Sequence, residues 1–184
     1  KMPLSAVGYF WLFENVSLDM KLYELLKRAI DIIVSLPLAV LWIVIHPFVS
    51  FLIKREDGGE VFIVQERIGK LGKLIKLRKY RTMSRSDNGV WLKDSGNTNK
   101  VTKIGYYLRK SRIDELPQLT AILKGDVSLI DPRPDMIAFY HRSLRELPYY
   151  SIRYSVAPGM SGWAQVMQDK PPQSIEETIV RLQY

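Results

Sequence analysis

The sequence predicts an α+β fold, predominantly helical, with a small antiparallel strand pair, amphipathic interfacial helices and one re-entrant membrane helix. Three observations predict it. First, an uncharged run covers residues 32–53 and is closed by Lys54 and Arg55; that is long enough to reach across a hydrocarbon core. Second, two extended pieces, 61–64 and 74–83, flank a loop with two glycines at 65–72. Third, apolar residues recur at helical spacing in two later stretches, at Leu116, Leu119, Ile122 and Leu123 and again at Met136, Ile137, Tyr140, Leu144 and Leu147. The chain has 184 residues, enough for one domain with a real core.

The formal net charge is +8, which favours an anionic partner: nucleic acid, phospholipid headgroups or a phosphorylated substrate. There is no cysteine, so disulfides and thiolate-bound zinc are excluded. Two histidines, His46 and His141, are too few for a histidine-rich metal site. Residues 1–19 hold an aromatic cluster, Tyr9-Phe-Trp-Leu-Phe13, without the charge order or cleavage site of a signal peptide. They are expected to be a junction from an upstream domain.

Residues 20–56 form the membrane part. Leu22, Leu25, Leu26 and Ala29 begin an amphipathic helix bearing Lys27 and Arg28. Asp31 lies at the mouth of the apolar run, three residues after Arg28, where an ion pair makes it tolerable. Pro37 and Pro47 interrupt the run, and an interior proline removes a hydrogen bond and kinks the axis. Basic residues stand on both sides: Lys21, Lys27 and Arg28 before, Lys54 and Arg55 after. Positive charge stays cytoplasmic, so equal flanks predict a helix that enters, breaks at a proline and returns to the same face. An ordinary spanning helix is the competing possibility. A buried helix of a soluble protein fits less well, because the run is apolar all round.

Residues 57–184 make up the rest of the chain. Between 67 and 85 eight lysines and arginines face a single acid, Glu66. Such a run is usually a solvated face; directly after a membrane segment it suits headgroups or a diphosphate. RNA binding is disfavoured, because aromatic interleaving is thin and no nucleic-acid module signature is present. Residues 84–100 read as a polar loop and 102–112 as a basic helix. Next come Asp114 and Glu115, adjacent carboxylates at the start of a short helix. Pro117 suits its first turn and Gly125 its end. Arg109, Lys110 and Arg112 stand upstream, and Asp131-Pro-Arg-Pro134 stiffens an arginine downstream. Carboxylates between cations suit a metal-assisted reaction on a phosphate. Equally, Asp114 serves as a cap while Glu115 favours the positive helix end. The glycine-punctuated loop at 157–165 lets backbone approach a ligand or turns over the core.

These pieces, in this order, resemble the bacterial sugar transferase family, the monotopic phosphoglycosyl transferases. The matching motifs are Lys27-Arg-Ala-Ile-Asp31, Gln65-Glu-Arg-Ile-Gly69, Lys79-Tyr-Arg-Thr-Met83, Asp114-Glu-Leu-Pro-Gln-Leu119, Leu123-Lys-Gly-Asp126, Pro132-Arg-Pro134 and Pro158-Gly-Met-Ser-Gly-Trp-Ala-Gln-Val166. The resemblance implies that Asp114 and Glu115 are a catalytic dyad holding Mg²⁺. It implies that Asp114 attacks the β-phosphate of a UDP-sugar, releases UMP and passes the phosphosugar to a polyprenol phosphate, starting glycan assembly. It further implies substrate contacts from Lys79, Arg81, Arg109, Pro132, Arg133 and Gln165, and a place on the cytoplasmic face of a bacterial inner membrane. Oligomeric state and the sugar are left open.

The chain also departs from the family pattern. Asp131 stands where relatives usually carry glycine. His46 stands for the usual serine before the kink proline, which is matched best by Pro47. Met167-Gln-Asp-Lys170 replaces a familiar Asn-Gly-Arg. The resemblance further implies that residues 57–184 are a catalytic domain, expected to be truncated at its C-terminus. Asp131 and that missing end keep a second function in view: a catalytically weak, membrane-anchored relative that binds lipid or a partner.

Overall fold

The computed structural model describes residues 20–84, 101–148, 150–167 and 178–179. The junction at 1–19, the polar loop at 85–100, the departures at 168–170 and the expected C-terminal end lie outside the described residues.

Helix α1 (Met20–Asp57) has 38 residues and is about 57 Å long at 1.5 Å per residue. It is long and apolar enough to cross a membrane. One stripe faces the rest of the protein: Asp31, Ser35, Ala39, Val49 and Ile53 are buried, with Trp42 and His46 partly buried between them. Steps of three and four residues keep that stripe on one side of the helix. The opposite side carries Leu25, Ile33, Val44 and Phe48 in the open, Val44 at 71% exposure.

The break expected at Pro47 is not found. The α-helix runs through Pro37 and Pro47, and both lie on the exposed side. A proline inside a helix costs roughly 3 kcal/mol, and packing on either side of Pro47 offsets it. His46 stacks on Phe62 and Tyr80, with ring centroids 5.2 and 5.8 Å away. Its Nδ1 lies 2.8 Å from the Tyr80 hydroxyl oxygen, which accepts a hydrogen bond from Trp42 Nε1 at 2.9 Å. Val49 and Ile53 join Tyr80 and Leu108 in one core cluster. The helix therefore stays in phase along the domain.

The hairpin pairs β1 (Phe62–Ile68) with β2 (Leu74–Tyr80), antiparallel, from Phe62↔Tyr80 to Ile68↔Leu74. Residues 65–68, expected as loop, are strand: they pair with Leu77 to Leu74. Only 69–73 turn, with Leu71 and Gly72 at positive φ.

Helix α2 (Lys103–Lys110) is capped twice. Thr102 Oγ1 accepts from Gly105 N–H at 2.9 Å. The Glu56 carboxylate, at the end of α1, accepts from the Lys103 and Ile104 N–H groups at 2.6 and 3.1 Å, satisfying donors that a helix start leaves open. A 3₁₀ turn, Ile113–Gln118, leads into α3 (Leu119–Lys124). Gly125 ends it at φ 90°, the left-handed stop its sequence predicts. Strands β3 (Ser128–Ile130) and β4 (Gly159–Ser161) form a parallel pair that the sequence did not announce. Helix α4 (Ile137–Glu146), a 3₁₀ turn at Tyr150–Tyr154 and α5 (Trp163–Met167) complete the described chain.

The main core joins Ile75 and Leu77 of β2 to Ala39 of α1 and Leu119, Ala121 and Ile122 of α3. A third cluster sets Ile68 against Leu147, Tyr150 and Tyr154.

Candidate active site

Period-two alternation places Lys79 on the same face as Ile75 and Leu77, so it emerges where that core meets the 3₁₀ turn. Lys79 Nζ lies 2.6 Å from Glu115 Oε1. Arg133 reaches the same oxygen from the other side, at 3.1 Å. Arg133 is held by its own segment. Asp131 N–H donates to the Ser161 carbonyl at 2.8 Å, and Gly159 N–H donates to that of Pro132 at 2.9 Å. The backbone of Asp131 runs so close to Gly159 and Gly162 that a Cβ at either would collide with it. The backbone approached by the glycine loop is thus that of the Asp-Pro-Arg-Pro run.

The two carboxylates share a turn but not a setting. Burial pushes the Asp114 carboxyl above its ordinary value, and the Glu115 charge adds to this against Lys79, Arg109 and Arg112. Burial acts the same way on Glu115, but Lys79 and Arg133 outweigh it and hold that carboxyl below its ordinary value. Asp114 Oδ1 is buried and has no hydrogen-bond partner.

Asp114 opens onto a cavity of about 420 Å³ lined with Lys79, Arg109, Arg112, Thr82 and Gln65. Arg109 is steadied by a 2.8 Å hydrogen bond from its Nε to Thr82 Oγ1. Arg112 is a residue whose place the sequence does not disclose: it turns the chain from α2 into the dyad at φ 59°, in the left-handed region that non-glycine residues rarely occupy.

Arg133 faces a second cavity, of about 310 Å³, together with Pro132 and Gln165. Arg153 lines it too, and its Nη2 donates to the Arg133 carbonyl at 2.8 Å. Of the residues the sequence nominates, Asp114, Glu115, Lys79, Arg109 and Arg133 come together, and Pro132 and Gln165 adjoin them. Arg81 does not join: it is buried, forms a bidentate pair with Asp57 at the end of α1 and donates to the Glu60 carbonyl at 2.6 Å. Gly59 leaves room for its guanidinium.

Among the described residues no three acidic or histidine side chains cluster. Mg²⁺ needs no such cage, since it is commonly held by one or two carboxylates, waters and substrate phosphates. The unpartnered Asp114 Oδ1 is a donor of that kind, and Glu115 stands beside it. The residues fit the ion.

A family model described as bacterial sugar transferase matches residues 22–184. The chain belongs to the bacterial sugar transferase family. Among its relatives is the UDP-N-acetylgalactosamine-undecaprenyl-phosphate N-acetylgalactosaminephosphotransferase of Aeromonas hydrophila, 39% identical over 148 residues, which cover 79% of this chain and 35% of the relative. The UDP-glucose:undecaprenyl-phosphate glucose-1-phosphate transferase of Escherichia coli is 36% identical over 144 residues, covering 78% and 31%. The chain spans about a third of the length of these two sugar transferases. It covers 73% of a shorter member, the exopolysaccharide production protein PSS of Rhizobium leguminosarum, at 39% identity.

Proposed function

We propose that this sugar transferase moves a sugar 1-phosphate from a UDP-sugar to undecaprenyl phosphate, as a first step of exopolysaccharide, O-antigen or capsule assembly. The observation that carries the proposal is Asp114 on the wall of a cationic cavity, with its buried Oδ1 free of any hydrogen-bond partner. The names of the relatives support the substrates.

The chemistry follows from the two carboxylates. Asp114, the more basic of the pair, is the better nucleophile. One of its oxygens attacks the β-phosphorus, the bond to the bridging oxygen breaks, and UMP leaves with that electron pair. A phosphosugar–aspartyl ester remains. A phosphate oxygen of the acceptor then attacks the same phosphorus and expels Asp114, giving a diphosphate-linked sugar. Covalent catalysis of this kind divides one hard step into two. Lys79, Arg109 and Arg112 offset the charge of the diphosphate, and Arg133 fixes the sugar-bearing phosphate. Glu115, clamped by Lys79 and Arg133, keeps both cations in place. Asp114 and Glu115 would hold Mg²⁺, which supplies further neutralisation of phosphate charge when bound.

The geometry of α1 supports a place at a membrane surface. Its start is tied to α3 and β3 by Arg28, Lys27 and Asp31, and its end to β2 and α2 by Asp57 and Glu56. Both ends therefore belong to one folded body. The side turned away from that body exposes Ile33, Val40, Ile43, Val44, Phe48 and Phe51, an apolar surface of the kind that marks an interaction site. It lies in the lipid of the cytoplasmic leaflet, with the basic face at the headgroups.

A weak, non-catalytic relative gains no specific support. Asp131, the extra negative charge on which that alternative leaned, is balanced by Lys27.

The test is UMP release from a panel of UDP-sugars with undecaprenyl phosphate and Mg²⁺, beside intact-mass measurement without acceptor. Release with at least one donor and a phosphosugar adduct that disappears in Asp114→Asn are expected. Turnover without any adduct on Asp114 would overturn the covalent route.

A further inference from the structure

We infer that the second cavity is the sugar subsite of the donor, with Trp163 and Gln165 its sugar-contacting residues. The inference rests on the UDP-sugar reading above and adds where the sugar lies and what recognises it.

The two cavities differ in charge. The one at Asp114 carries three cations, Lys79, Arg109 and Arg112, around one carboxyl. That composition suits a diphosphate. In the second cavity Asp131, Arg133 and Arg153 all have partners. Arg133 shares its Glu115 oxygen with Lys79 of the first cavity, which leaves Arg109 and Arg112 there as the cations without a carboxylate partner among the described ion pairs. Asp131 pairs with Lys27 at 2.5 Å, Arg133 with Glu115 at 3.1 Å, and Arg153 with Asp135 at 3.5 Å. A neutral ligand suits it better than another phosphate.

Its walls suit a carbohydrate. Trp163 and Tyr23 present exposed aromatic rings at its mouth, and Ile130 adds an apolar edge. Such surfaces stack on the apolar face of a pyranose. Inside, Gln165 Oε1 is buried without a hydrogen-bond partner, and Arg133 and Arg153 offer N–H donors not used by their pairs. A pocket of apolar walls with a few placed polar groups is the usual form of a small-molecule site. An unpaired buried acceptor favours a ligand that brings a donor, a ring hydroxyl or an acetamido N–H, and penalises one that lacks it. Gly162 lets the two cavity segments pack closely: a Cβ there would meet the Asp131 carbonyl oxygen at 2.5 Å.

The position is right as well. Arg133 lines this cavity and touches Glu115, whose neighbour Asp114 lines the first. A sugar on a phosphate held at Arg133 would extend into the cavity that Arg133 lines, with the uridine side of the diphosphate toward Lys79 and Arg109.

The experiment uses equilibrium binding to the full chain carrying Asp114→Asn, which cannot turn over. UDP, UMP and a panel of UDP-hexoses and UDP-N-acetylhexosamines are titrated in turn, and Trp163→Ala and Gln165→Leu are then added singly. The preferred UDP-sugar is expected to bind at least about 10-fold tighter than UDP. Trp163→Ala should remove most of that difference and leave UDP affinity within about two-fold. Gln165→Leu should narrow the preference among sugars. Equal loss for UDP and UDP-sugar would place the nucleotide in this cavity and overturn the assignment. So would unchanged binding of both. Failure of UDP and every UDP-sugar to bind would instead overturn the nucleotide-sugar reading itself, and the subsite with it.

Discussion

The seam between α1 and the domain and the site around Asp114 are both rich in buried charge, and they treat it in opposite ways. Along the seam each charge is met. Arg28 donates to the Ile122 and Leu123 carbonyls, both at 2.5 Å, closing the end of α3 that a helix leaves unsatisfied. Asp31 accepts from Ser128 Oγ and Leu129 N–H at 3.1 and 3.0 Å. Arg81 is locked to Asp57. At the site one carboxylate, Glu115, is held by two cations, and its neighbour keeps a bare oxygen. A seam so paired stabilises the fold. A bare buried oxygen costs the fold and serves the reaction, a trade common at active sites.

The largest expected effect tests that trade directly. Asp114→Asn should lower UMP release at least about 1,000-fold, the scale of losing a nucleophile. Its melting temperature should nevertheless equal or exceed that of the parent near neutral pH. The sign follows from the raised carboxyl. A group with a folded pKa above its unfolded value gives stability in acid and loses it as pH rises through the folded pKa. Ionised Asp114 therefore burdens the fold at neutral pH, and the gain from asparagine should fade in acid. Glu115→Gln should do the reverse. Its lowered carboxyl contributes stability above the unfolded pKa, lost as pH falls through the folded pKa. A lower melting temperature for Asp114→Asn would erase the contrast.

On the seam, Asp31→Ala should cost about 2–4 kcal/mol, because it strands the Ser128 and Leu129 donors it now satisfies. Chemical denaturation measures this. The step from donor binding to products, per folded molecule, should stay within about three-fold of the parent. A drop of several hundred-fold in that rate at unchanged stability would move Asp31 from the seam into the site.

How far the sequence foretells all this depends on the range of the forces involved. Gly125 and the hairpin were legible because a left-handed stop and two extended pieces around a glycine loop are local signals. Asp114, Glu115, Lys79 and Arg133 were nominated by residue type and by resemblance, and the structure gathers them. Residues 65–68 looked like loop because Gln65, Glu66 and Arg67 are polar; their pairing with β2 depends on strand partners. Pro47 looked like a break because the proline rule is local too. The contacts of His46 and Val49 with Tyr80 and its cluster are distant in sequence and decide otherwise. The pairing of β3 with β4 involves three residues on each strand, too few to show periodicity. Lys79 and Arg81 look alike in sequence, and only the packing of α1 separates their partners.

That last pair offers a finer test. Lys79 and Arg81 are two residues apart, yet one faces the dyad and the other the seam. Lys79→Met should move the acid limb of the pH–rate profile to higher pH. Lys79 helps hold the Asp114 carboxyl down, so without it Asp114 protonates at higher pH and the nucleophile is lost sooner on acidification. Arg81→Ala should leave that limb in place and instead lower stability by about 2–3 kcal/mol, the scale of hydrogen bonds to charged groups. A shifted limb or a raised donor KM in Arg81→Ala at unchanged stability would return Arg81 to the substrate contacts that the resemblance implies.

The smallest effect is expected from labels placed on α1. The chain has no cysteine, so single cysteines at Glu24 and Lys54 report cleanly. Both positions are exposed, one near each end of the helix, and both ends are bound to the same folded body. Membrane-impermeant reagents should therefore modify both from the cytoplasmic side, with no measurable change in turnover. A cysteine at Val44, on the outward side, should resist the reagent in membranes and react once detergent disperses them. Labelling of Glu24→Cys and Lys54→Cys from opposite sides would require α1 to leave the domain and span the bilayer, and the seam contacts would then have to break in the membrane.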